Sequence, residues 1–176
     1  MNNYRYRNFY DGRYCYTNEL PEEDVMPESL GINTGIIVDY EPLYTGDIIK
    51  HYFCDKLTDA YDIGIIFCDE KDGYCRTTTT LGYNHFKLSD ECKYLKLGNT
   101  TENSAIIAAR LWMSLSHDQK MQYFADTGII GFLEDFELPC ENGEMEPLTT
   151  EEIQWALDII EDYNTNYLLD DEVDVL

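Results

Sequence analysis

The chain has 176 residues, 35 Asp and Glu against 12 Lys and Arg, and a formal net charge of −23. That length supports one core that removes roughly 70% of the unfolded surface from water. The charge argues against direct nucleic-acid binding, because phosphates would be repelled and few basic side chains are present to release their counterions.

The imbalance is uneven. Lys120 is the last basic residue, so residues 121 to 176 hold 16 acids and no base, while residues 1 to 120 hold 12 bases against 19 acids. Self-repulsion on this scale opposes compactness, and it is tolerated where it gives solubility or where something positive is met. No run of 18 apolar residues occurs, and the opening MNNYRYRNFYDGRYCYT lacks the apolar core of a secretory signal, so a cytoplasmic location is expected. The six cysteines, at 15, 54, 68, 75, 92 and 140, then read as thiols, with Cys68 and Cys75 expected as small buried hydrophobes.

From the N-terminus, Tyr4, Tyr6, Tyr10, Tyr14 and Tyr16 around the turn Asp11-Gly12 predict a β-hairpin with one aromatic face. Its Arg5, Arg7 and Arg13 are expected to pack on the acidic third or to stay in a free tail. LPEEDVMPESLG, residues 20 to 31, reads as a loop, and GIIVDY from Gly35 as a short strand. The stretch TGDIIKHYFCDKLTDAY from Thr45 predicts a helix, with Ile49, Tyr52, Phe53, Leu57 and Ala60 on one face. His51 falls on the other face, as a surface histidine four residues from Asp55. IGIIFC, the turn at 69 to 73 and YCRTTTTLG predict a hairpin, and YNHFKL and KYLKL two further antiparallel strands.

TTENSAIIAARLWMSLSH is apolar nearly all round, which predicts a central helix on the sheet. Arg110 is its only charge, expected to be partly buried in an ion pair. Residues 118 to 137 predict a second helix broken at Gly128, with Ile129, Ile130, Phe132, Leu133 and Phe136 supplying core. In TTEEIQWALDIIEDY, Thr149 and Glu152 form a capping box. Ile153, Ala156, Leu157 and Ile160 fall on one face, later joined by Tyr167 and Leu168, and Glu151, Trp155, Asp158 and Asp162 fall on the opposite one.

No hydrolytic nucleophile context surrounds His51, His85 or His117, and no phosphate-cradling glycine loop is present. The spacing of Cys68, Cys75, His85 and Cys92 matches no close-pair zinc pattern, so neither metal nor cofactor is expected. What remains is that the acids imitate a polyanion. A 176-residue globule is roughly 40 Å across, and that length of duplex DNA carries about 23 or 24 charges. The expected contact surface is Glu134, Asp135, Glu137, Glu141, Glu144 and Glu146 together with Glu151, Trp155, Asp158 and Asp162. Charge would steer the partner while the tryptophan supplies short-range energy, unless Arg5 or Arg7 folds over its ring.

CDKLTDAYDIGIIFCDEKDGYCRTT and KYLKLGNTTENSAIIAARLWMSLS resemble the ArdB/KlcA-type antirestriction proteins, over about residues 50 to 117. Asp55-Lys56-Leu57, Gly73-Tyr74 and Ala105 through Leu111 carry the resemblance. The family's strand tryptophan is missing, Asp72 stands where a glycine is expected, and the last 50 residues have no counterpart. The resemblance implies an inhibitor of a host defence enzyme.

The expectation is therefore a single α+β domain over 1–176: an antiparallel sheet, a central apolar helix and an acidic C-terminal helical region. Its segments are 1–31, 32–117, 118–169 and a tail, 170–176. Its expected role is that of a non-enzymatic inhibitor from a phage or mobile element, binding the basic nucleic-acid groove of a restriction or CRISPR-type nuclease. The alternative is an immunity protein or antitoxin for a basic toxin. Neither a membrane nor nucleic acid is an expected partner.

Overall fold

The alternating tyrosines at the N-terminus build a hairpin, but one with two different faces. In the computed structural model, which describes residues 2–52, 60–69, 73–78, 84–89, 91–139 and 144–171, β1 (Tyr4–Arg7) pairs antiparallel with β2 (Tyr14–Thr17). The register sets Arg5 opposite Tyr16 and Arg7 opposite Tyr14. Asn8 closes the loop by its bond to the Arg13 carbonyl at 2.9 Å, leaving four residues between them. Paired residue numbers therefore sum to an odd value, and the even-numbered tyrosines of β2 face the odd-numbered arginines of β1. The expected single aromatic face is thus corrected to a tyrosine–arginine face and a second face holding Tyr4 and Tyr6.

That first face is buried by charge pairing. Arg5, only 3% exposed, lies 2.6 Å from Asp47, and its guanidinium sits 4.9 Å from the Tyr44 ring and 5.4 Å from that of Tyr14. Arg7 lies 4.7 Å from the Tyr14 ring. Both arginines are committed to neighbours in their own part of the chain, which replaces the free tail.

Residues 20 to 30 lie in the expected loop, with one 3-10 turn at Pro27–Ser29, while Gly31 already belongs to the next strand. β3 (Gly31–Val38) is longer than the predicted strand and continues into β4 (Glu41–Tyr44) through a two-residue turn. Asp39 and Tyr40 there have φ of 49° and 69°, the left-handed pair that the tightest hairpin turns require. These strands form a sheet in the order β2-β1-β3-β4.

The predicted helix from Thr45 is instead β5 (Asp47–Tyr52). β5 pairs on one side with β6 (Tyr61–Asp69) and on the other with β9 (Tyr94–Asn99). A strand buried on both faces shows no period of two, and its continuous apolar run matches helical spacing by chance. His51 consequently is not a surface residue: it is 8% exposed and stacks on Tyr94 at 5.3 Å. The expected hairpin of β6 with β7 (Gly73–Thr78) is present, as is β8 (Asn84–Lys87), completing the order β8-β7-β6-β5-β9. Cys68, expected inside, is an exposed free thiol on β6, while Cys15 and Cys92 are partly buried thiols.

The other elements are α1 (Ser104–Ser114), α2 (His117–Asp126), α3 (Gly128–Asp135) and α4 (Thr150–Asp171), with a two-stranded sheet of β10 (Glu137–Pro139) and β11 (Met145–Pro147). The chain divides into two units, Met1–Glu102 with Pro139–Met145, and Asn103–Leu138 with Glu146–Leu176. Within the second unit α4 packs on α1 and α3. Its core is aromatic, with Trp112 5.1 Å from Phe132 and 6.1 Å from Tyr123. The break between α2 and α3 falls at Gly128, whose φ of 69° is left-handed, as the sequence predicts. Arg110 is exposed rather than partly buried, because α1 buries its alanine, Ile107, Leu111 and Trp112 face instead. Ile130 is also outside, 52% exposed, while Phe132, Leu133 and Phe136 are buried as expected. Asp55, Leu57, the 70–72 turn, Cys54, Cys140, Glu141 and residues 172–176 lie outside the described residues.

Candidate functional site

The C-terminal helix begins with the predicted capping box. The Thr149 N–H donates to the Glu152 carboxylate at 2.8 Å, and the Glu152 N–H donates to the Thr149 hydroxyl at 3.3 Å. Glu151 and Glu152 in the first turn also suit the positive end of the helix dipole. Beyond the cap, Ala156 and Ile160 are buried and Ile153 and Leu157 half-buried, which fixes the inward face.

Glu151, Trp155, Asp158 and Asp162 all lie on the outward face and are exposed. Trp155 retains 46% of its surface, too much for a core residue and unusual for a side chain with so much apolar area to bury. From Glu151 to Asp162 the stripe runs about 16 Å along the axis. Gln154 donates to Asp158 at 2.9 Å and so holds one of its carboxylates in place.

The remaining predicted acids are exposed wherever they are described. Glu134 and Asp135 end α3, Glu137 starts β10, Glu144 precedes β11 and Glu146 lies within it. The pair on α3 stands at a helix C-terminus, where negative charge costs about 0.3 to 1 kcal/mol. Neither α3 nor α4 has a basic residue in its last turn to offset this. The ion pairs joining Arg5, Asp47, Lys96 and Glu41 are all in the first unit. The acids named on α3 and on the outward face of α4 are themselves exposed to solvent.

Two features of the first unit were not signalled by sequence. One is a polar knot at Tyr14, whose hydroxyl accepts from Asn99 Nδ2 at 2.6 Å and from Arg7 at 3.0 Å and lies 3.2 Å from the Thr101 hydroxyl. Partial burial pushes the phenol up, but these donors outweigh it and hold the group below the ordinary tyrosine value. It pins the hairpin to the end of β9. The other is a cleft of about 470 Å³ lined by Gly35 to Asp39 and Cys92 to Tyr94.

His51 is stacked in the core and His117 opens α2 at the surface. Among the described residues no three His, Cys, Asp or Glu side chains are grouped to hold a metal, and no helix is long and apolar enough to cross a membrane. Comparison with protein-family models, with curated proteins and with solved structures finds no match.

Proposed function

We propose that the protein is a non-enzymatic acidic inhibitor, of the kind carried by phages and mobile elements, that occupies the basic nucleic-acid groove of a host defence nuclease. The observation that carries this reading is the outward face of α4, where a half-exposed tryptophan stands in line with three exposed carboxylates. Carboxylates spaced along a rigid helix meet lysines and arginines that ordinarily contact phosphates. Trp155 meanwhile offers a flat apolar surface to a guanidinium or an apolar pocket, and anchors of this kind dominate interface energies.

The test is capture of restriction or CRISPR-type nucleases on the immobilised chain at low salt, followed by elution with a salt gradient and competition by duplex DNA. Trp155→Ala is expected to weaken binding by about 2 kcal/mol or more, roughly thirtyfold. Asp158→Lys with Asp162→Lys is expected to cost more than Glu22→Lys with Glu23→Lys, an exposed acidic pair on the first unit. Equal losses from the two reversals, or a complex that duplex DNA does not displace, would remove the α4 face from the interface.

A further inference from the structure

Strand β3 has an open edge. β1 covers it only at Gly31 and Ile32, and the last bond on that side runs from the Asn33 N–H to the Asn3 carbonyl at 2.8 Å. On the other side Val38 closes the tight turn against Glu41, and Ile37 stands opposite Pro42. Alternate pairs of an antiparallel ladder exchange hydrogen bonds, and a proline tolerates only the pair that exchanges none. The N–H and C=O of Ile37 therefore point away from β4, and among the described residues no bond meets them.

The 470 Å³ cleft lies along this edge. Its floor is apolar, since Ile36, Val38 and Cys92 pack on the buried cluster around Leu43 and Ile49. Its far wall ends in β9, itself an edge strand. The Tyr52 N–H reaches the Lys93 carbonyl at 3.1 Å, so the next residue, Tyr94, turns its backbone groups away from β5.

Protection is limited to the register shift between Asn33 and Ile37, where Gly35 has a φ of 82°. Edge strands are usually blunted by charge or proline, as β4 is by Glu41 and Pro42, yet GINTGIIV from Gly31 to Val38 has neither, in a chain of net charge −23. The residues flanking the walls, Asp39, Glu41 and Glu91, are exposed carboxylates, set against the ammonium of Lys93 and that of Lys96, which lies 3.8 Å from Glu41.

We propose that the β3 edge binds an extended peptide segment of a partner protein by strand addition. The segment places β-branched or apolar residues at alternate positions over the cleft floor and carries basic residues at its ends. Ile37 supplies the backbone bonds, and the extended stretch from Ile36 to Val38 accommodates about 10 Å of strand, roughly three residues, because Gly35 at φ 82° and Asp39 at φ 49° leave the strand conformation. Charge selects against a second copy of the chain, because two molecules of −23 repel each other. This surface shares no residue with the α4 face, and its test stands independently of that reading.

The experiment is selection of a displayed random dodecapeptide library on the full chain. The most enriched peptide is then resynthesised and titrated into isotopically labelled protein, followed by NMR. The expected result is an enriched class with alternating apolar and flanking basic residues, which shifts resonances of Gly35–Asp39 and Cys92–Tyr94 and slows exchange of the Ile37 amide. Ile37→Pro removes that N–H without removing a bond to β4, and is expected to weaken binding at least about tenfold. Should this variant unfold, the same peptide N-methylated at alternate backbone nitrogens provides the equivalent loss on the native chain. No enriched class, equal binding by the N-methylated peptide, protection elsewhere, or a peptide-free dimer that protects Ile37 would overturn the proposal.

Discussion

Asp47 has no exposed surface, and three groups converge on it: Arg5 at 2.6 Å, the Tyr44 N–H at 2.9 Å and Lys96 at 3.7 Å. Burial nevertheless raises its carboxyl above the ordinary carboxylate value, with Arg5 and Lys96 opposing the shift. The sign matters for stability. A group whose folded value is raised keeps a proton that the unfolded chain releases above about pH 4, so its contribution is largest below that pH and declines as pH rises through the folded value. Urea unfolding of the native chain and of Asp47→Asn, measured from about pH 4 to pH 7, should therefore show the native advantage shrinking with rising pH. An advantage that grows would mean the attraction of Arg5 outweighs burial. None of this was legible in the sequence, because Arg5 and Asp47 meet only through the stacking of β1 beside β3 and the turn into β5. Trp155 was legible because the carboxylates that define its setting are on its own helix.

The same contrast holds for whole elements. α4 could be read in advance since its cap, inward face and outward face are local properties with a clear period, and the break at Gly128 is a backbone property of one residue. β5 could not, because burial on both faces erases the alternation that identifies a strand, and only pairing with β6 and β9 decides its conformation. The short α3 helix shows a constraint of a different kind. A Cβ added at Gly131 would overlap the side chain of Thr127, one turn earlier, where the helix leaves the α2–α3 break. Alanine is intrinsically about 1 kcal/mol better than glycine in a helix, but an overlap with the rigid branch point of a threonine costs about 1 to 3 kcal/mol. Gly131→Ala is thus expected to destabilise the protein in thermal unfolding, and Thr127→Gly in the same chain should recover much of the loss. Stabilisation by the single change would show that Thr127 rotates away freely and that propensity alone governs this turn.

At the scale of the molecule, the net charge of −23 gives salt two opposite roles. Within the chain, exposed acids such as Glu134, Asp135, Asp158 and Asp162 repel one another, and ions screen them over about 10 Å at 0.1 M. Raising salt from about 0.02 M to about 0.3 M should therefore raise the melting temperature by several degrees. A variant with Glu134, Asp135, Asp158 and Asp162 changed to their amides should melt higher at low salt and respond less. Between the chain and a basic groove the same ions weaken attraction, so the complex should dissociate over the range in which the free protein becomes more stable. The two trends separate causes that a binding assay alone would confuse. Dissociation at rising salt cannot then be ascribed to unfolding, and a melting temperature unmoved by salt would place the acids too far apart to repel. Acids that dispersed would present no dense anionic surface, so the thermal measurement on the isolated chain already bears on whether α3 and α4 carry a polyanion-like face.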